Sequence, residues 1–273
     1  DLVLGTWNVR PGADWARVAR TPDLPVQADL PAGGDLVLSA HDALAGQEVN
    51  NGSRIGLTLL WRGTAPLPPL TRADSGGAWR VEIPAVRPDD HGPITLDWRE
   101  ARVPADAPDG MAELRLPGGT VVARYTVKAL PAEFVAPAFA TPVSAALPGV
   151  GELVGYTLEG TRFARTEPIS ITLVWRAGAV TPDVSYTVFV QLLAADGRLI
   201  AQSDAVPVQR QRPTTGWRPG EYIVDPHQLV FHADATAGPA RLQVGMYDAA
   251  TNVRLVWQSG ADALVLPAAV EVR

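Results

Sequence analysis

Apolar and polar side chains alternate one-for-one along most of this chain, and glycine and proline interrupt the alternation at short intervals. In ISITLVWRAG (169–178), Ile171, Leu173 and Trp175 fall on one face of a strand, and Thr172, Val174 and Arg176 on the other. IGLTLLWRGT, from Ile55, repeats the arrangement with Leu57, Leu59 and Trp61 against Thr58, Leu60 and Arg62. Each is read as a half-buried strand whose tryptophan seals a core. A second correspondence sets VPADAPDGMAELRL (103–116) against FHADATAGPARLQV (231–244). They share Ala105/Ala233, Asp106/Asp234, Ala107/Ala235, Gly110/Gly238, Ala112/Ala240 and Leu114/Leu242. The order agrees in both halves: an opening strand (36–39; 153–156), the Trp-Arg strand, a strand near 79–83 or 186–192, then the Asp-Ala turn. Such a repeat reads as an internal duplication.

Turn chemistry sets the fold class. Asn51-Gly52, Gly76-Gly77, Gly118-Gly119, Asp196-Gly197 and Pro219-Gly220 divide short strands, and only WARVAR near Trp15 has a helical period. The expectation is all-β, with two tandem immunoglobulin-like β-sandwich domains. The boundaries read as an N-terminal extension or added strand over 1–33, a first sandwich over 34–130, a Pro/Ala-rich linker over 131–149 and a second sandwich with longer loops over 150–273. Residues 1–33 show no counterpart in the second half.

Composition narrows the function classes. With 273 residues and 47% apolar side chains the chain buries real cores, and a net charge of −6 argues against a nucleic-acid partner. Lys128 is the single lysine, so arginine supplies nearly all the positive charge, a pattern read as coding bias rather than anion recognition. Without cysteine there are no disulfides and no thiolate chemistry. No apolar run reaches the ~20 residues of a membrane span. The chain opens at Asp1, so any membrane association is expected through segments absent from it, such as a signal peptide or anchor.

Catalytic signatures are weak. ADSGG (73–77) and LSAHDA (38–43) are similar to the serine and histidine signatures of chymotrypsin-like enzymes. His41 and Ser75 stand too close in sequence for a double barrel with its aspartate between them. The four histidines, His41, His91, His227 and His232, form no metal-binding pair, and no catalytic residues are expected. No metal or cofactor is expected, with structural calcium as the open alternative and Asp204, Glu221, Asp225 and Asp248 as its candidate ligands. The densest segment is SDAVPVQRQRPTTGWRPGEYIVDP (203–226). Its Trp217, Arg218, Tyr222 and Asp225 are the candidate ligand-binding residues, because a ring stacks on a sugar while charged groups read its hydroxyls. The bland alternative has Trp217 plugging the end of the sandwich.

YTVFVQLLAADGRLIAQSDAVP (186–207), PTTGWRPGEYIVD (213–225) and VGMYDAATNVRL (244–255), in that order, resemble the β-sandwich region C-terminal to the membrane part of bacterial glycosyltransferases of the dolichyl-phosphate-mannose protein mannosyltransferase type. The resemblance covers about 140–257. Trp217, Gly220, Glu221, Asp225, Gly245, Tyr247, Asp248 and Arg254 fall on its pattern. It implies an extracytoplasmic place beside an enzyme that uses polyprenyl-phosphate sugars, whose donor site this chain lacks. The expected function is a non-catalytic module recognising glycan, lipid-linked sugar or an envelope partner through loops of the second sandwich. The alternative is a structural spacer or oligomerisation module, which predicts an exposed apolar patch or an open edge strand. A hydrolase would need clustered acids in a pocket.

Overall fold

The computed structural model describes residues 24–43, 46–86 and 92–273. His91, the WARVAR segment and most of the expected N-terminal extension lie outside the described residues. Nine strands build the first sandwich: β1 (Val26–Gly33), β2 (Leu36–His41), β3 (Glu48–Asn50), β4 (Arg54–Arg62), β5 (Leu70–Asp74), β6 (Arg80–Ile83), β7 (Ile94–Arg102), β8 (Gly110–Arg115) and β9 (Val121–Lys128). One sheet runs β1-β2-β4-β7 and the facing sheet β3-β9-β8-β5-β6.

The second sandwich follows with β10 (Thr141–Leu147), β11 (Gly151–Leu158), β12 (Arg162–Phe163), β13 (Ile169–Ala177), β14 (Thr187–Ala194), β15 (Leu199–Ala205), β16 (Tyr222–Phe231), β17 (Gly238–Asp248), β18 (Val253–Arg254), β19 (Leu264–Val265) and β20 (Val270–Val272). Its strands run β10-β11-β13-β16 and then β15-β14-β17-β20-β12, with β18 and β19 also paired to β17. Strand for strand this is the order of the first sandwich, down to the parallel pairs β3/β9 and β12/β20. The fold is all-β, two immunoglobulin-like sandwiches in tandem. One feature separates the halves. β16 pairs with β13 through Leu229 and then crosses to pair with β15 through Val230 and Phe231, so the second sandwich is one sheet folded over itself.

The two tryptophan strands behave as their alternation predicts. Trp61 and Trp175 are 1% and 0% exposed and occupy matched positions on β4 and β13. Each sandwich has its own core. Leu38, Leu57, Leu59 and Trp61 belong to one, and Leu153, Leu173, Trp175 and Val190 to the other.

Two boundaries move, and one strand correspondence changes. β1 pairs with β2 as the edge strand of the first sandwich, which therefore begins by Val26 rather than residue 34. β10 pairs with β11 in the equivalent place, so the later part of the expected linker, Thr141–Leu147, is the first strand of the second sandwich. Residues 26–33 thus have a counterpart after all. Both strands contain proline (Pro31, Pro142), which an edge strand tolerates because one side of its ladder has no partner. The strand at 186–192 corresponds to β5, not to the strand at 79–83, whose counterpart is β15.

Candidate functional site

The loaded segment 203–226 does converge on a site, and what it meets is the first sandwich. After β15 the chain turns at Pro207–Gln211, where Val208, Gln209 and Arg210 take positive φ values of 54°, 51° and 75°. This left-handed turn is closed by bonds from Arg210 N to Val206 O and from Arg212 N to Pro207 O, 2.9 and 3.1 Å. It aims the Val208 amide at Asp225 Oδ1, 2.7 Å away. A 3-10 turn, Thr214–Gly216, is fully buried. The Thr214 hydroxyl donates to Val184 O at 2.6 Å and accepts from Tyr186 N at 3.0 Å.

From this platform the segment reaches across. The Thr215 hydroxyl donates to Gly52 O at 3.2 Å, and Arg218 Nε donates to Ala105 O at 3.0 Å. The same carbonyl receives Asn51 Nδ2 at 2.7 Å, while Asn51 Oδ1 accepts the Leu130 amide of the connecting segment. Gly52, at φ +75°, packs backbone to backbone on Gly216. A Cβ there would sit 2.2 Å from Gly216 Cα. At the rim Arg102 pairs with the Asp183 carboxylate at 3.1 Å, and Arg54 donates to the Asp183 carbonyl.

The four expected ligand-binding residues separate accordingly. Trp217 is 0% exposed; its ring lies 6.3 Å from Trp175, and Nε1 donates to Arg212 O at 3.0 Å. It plugs the sandwich end and has no face left for a sugar. Asp225, also 0% exposed, points inward on β16 because its register partner there is Leu173. Arg218 serves the joint. Tyr222 is half-buried, with its amide bonded to Glu133 O at 2.7 Å and the Arg176 guanidinium 5.8 Å from its ring centre.

The calcium candidates are dispersed into other roles. Glu221 accepts from Arg212 and from the Arg218 amide, and Asp248 caps its own turn through Ala250 N and Thr251 Oγ1. Asp225 is committed inside the core. Asp204 faces the outer side of β15, with the Tyr247 hydroxyl 3.5 Å away. Desolvation raises the Asp204 pKa, against the opposing pull of that hydroxyl, Arg254 and His227. Among the described residues no three His, Asp or Glu side chains converge as a metal-binding group. Gly245 and Arg254, from the family pattern, pack on Phe189; the guanidinium lies 4.3 Å from its ring centre.

One buried constellation escaped the sequence reading. His227 lies between Asp225 Oδ2, 3.0 Å from Nε2, and Ser203 Oγ, 3.2 Å from Nδ1, and Trp175 Nε1 donates to the same Asp225 oxygen at 3.3 Å. The residue types are those of a hydrolase triad, but His227 and Asp225 are sealed in the core. The first sandwich explains the arrangement. There Trp61 Nε1 donates to Asp97 Oδ2 at 3.1 Å, and Arg99 Nε donates to the same oxygen at 2.7 Å. Arg99 stands where His227 stands, and a guanidinium does not serve as a general base. The repeated unit is an indole and a basic side chain sharing one carboxylate. The signal was present: Asp97 and Asp225 precede Ala105 and Ala233 by the same eight positions.

Against known proteins, no family model matches the sequence and no curated protein does. Solved structures align with the chain at low identity and low TM-score. The native conformation of Escherichia coli alpha-2-macroglobulin aligns over 92% of this chain and 15% of its own length, at 13% identity and a TM-score of 0.25. A Salmonella alpha-2-macroglobulin mutant aligns over 91% of this chain and 16% of its own, with the same identity and score. The chain thus spans less than a fifth of either protein.

Proposed function

We propose that this chain is a non-catalytic, rigidly jointed pair of β-sandwiches that acts as a structural module of a larger extracytoplasmic assembly. One observation carries the reading. The segment richest in ring and charged side chains is consumed by the joint with the first sandwich, through Thr215, Gly216 and Arg218, so it holds a shape rather than a ligand. Burial of Trp217 and Asp225 removes the support for sugar capture at that place. The triad-like set around His227 is matched by a set built on Arg99, which supports a core role over hydrolysis. The extracytoplasmic setting, beside a glycosyltransferase that draws on polyprenyl-phosphate sugars, rests on the sequence resemblance.

The test is the joint. Gly52→Val forces a side chain into the Gly216 backbone, where nothing flexible can give way. Small-angle scattering of the wild type is expected to fit one fixed arrangement of two sandwiches, and the variant a broadened ensemble with a larger radius of gyration. A wild-type profile that itself requires freely moving domains would reject the module.

A further inference from the structure

Among the described residues, β7 stands open along one side at an edge of the first sandwich. β7 closes its sheet on one side only, and among the described residues nothing but β4 pairs with it. Its outward side chains Ile94, Leu96 and Trp98 are 56%, 53% and 61% exposed, an apolar row on nine residues of edge strand. Folded proteins usually blunt such an edge with charge, proline or brevity. The backbone of the same positions is turned toward the open side. Gly63 N bonds Pro93 O, so the odd-numbered positions face β4 and the even ones face outward. The second sandwich shows what this geometry accepts. Tyr222 occupies the place of Ile94, each opposite the arginine of its Trp-Arg pair, and Tyr222 receives an antiparallel bridge from Glu133.

We propose that the open edge of β7 is completed by β7 of a second copy of this chain, in an antiparallel pair with its two-fold axis at Leu96. This rests on the structural-module reading and names that module's partner. The strand is self-complementary in this register: Ile94 meets Trp98 of the second copy, Leu96 meets Leu96, and Trp98 meets Ile94. Leu60, directly beside Leu96 on β4 and buried, backs Leu96 from within the sheet. No like charges oppose each other, since Glu100 falls opposite Gly92 of the other copy. The Trp98 indole packs beside Gly56, its Nε1 3.4 Å from where a Cβ would stand, and the residue stays exposed beside the open edge. Facing residues at the axis exchange hydrogen bonds with Cα atoms about 5.5 Å apart, a distance a disulfide spans.

The absence of cysteine makes the test direct. Leu96→Cys in the full chain, mildly oxidised, is expected to yield a covalent dimer, whereas Glu100→Cys, whose mate lies about 27 Å away along the strand, forms no covalent dimer. Sedimentation equilibrium should show a wild-type dimer that Leu96→Lys abolishes and that a mixture of Leu96→Lys with Leu96→Glu restores. A wild type that stays monomeric at high concentration, a Leu96→Lys dimer, or equal cross-linking from both cysteines overturns the proposal. Scattering from the Leu96→Lys monomer keeps the two readings apart. A fixed pair of sandwiches in that monomer preserves the module whatever the fate of the dimer, and a flexible pair rejects the module even where β7 pairs.

Discussion

At the scale of single residues, the Trp–Asp–base cluster matters most, because each sandwich buries one carboxylate whose oxygen serves two donors. Asp97 is 8% exposed and Arg99 2%, and Arg99 also donates to Pro68 O and Ile83 O at 2.7 and 3.0 Å. Asp97→Ala leaves that guanidinium buried without its counter-charge, and is expected to cost about 3–5 kcal/mol in urea unfolding. Asp97→Ala combined with Arg99→Met is expected to cost less than Asp97→Ala alone; a larger loss would show that the pair is not the unit. His41 gives a pH signature. Burial holds its pKa below the usual 6.5, against the raising effect of Asp42, and its Nδ1 accepts the Ala43 amide at 3.2 Å. The unfolded chain therefore binds the proton more readily. Stability is complete above pH 6.5, declines as pH falls from there toward the native pKa, and is level below it. Thermal midpoints of His41→Gln should lack this decline.

At the scale of elements, alternation made the strands around Trp61 and Trp175 legible, because one face of each meets a core and the other does not. The edge strands β1 and β10 were harder. The segment holding β10 read as a Pro/Ala-rich linker and that holding β1 as an extension or added strand, and only pairing with β11 and β2 fixes their place in the sheets. The joint was not legible either. Asn51-Gly52 was recognised as a turn, but its partner Thr215-Gly216 is more than half the chain away, and no local pattern encodes a contact of that range. The Trp217 segment showed its aromatic and charged content plainly, while the direction in which the ring faces depends on packing against Trp175. The turn that delivers it carries strain, since left-handed backbone is unfavourable for residues with a Cβ. Gln209, exposed at φ 51°, is the place to relieve it. Gln209→Gly is expected to raise stability by roughly 0.5 kcal/mol, the relief outweighing the added chain entropy. A fall in the unfolding midpoint would refute that account.

At the scale of the whole molecule, two copies of one topology are held as a unit by a short list of backbone contacts. Gly52 on Gly216, Thr215 on Gly52 and the doubly bonded Ala105 carbonyl leave little room for independent rotation. The Gly52→Val variant that broadens the scattering should correspondingly resolve one calorimetric transition into two, because the joint is what makes unfolding of the halves concerted. The sequence correspondences matched the Trp-Arg strands and the Asp-Ala turns, but they paired the strand at 186–192 with the wrong partner and missed β1 and β10. The relative placement of the halves was not legible in them, since it depends on polar atoms meeting at a distance.

The passage of β16 from one sheet to the other has a mechanical consequence. In the second sandwich a single strand is hydrogen-bonded to both layers, so the layers cannot slide apart without tearing backbone ladders on each side. In the first, β7 pairs with β4 in one layer, and no described strand is laddered to both layers. Pulled from its two ends, the molecule is expected to yield first in the half that no strand stitches across its layers, while the stitched half stays whole in the force trace.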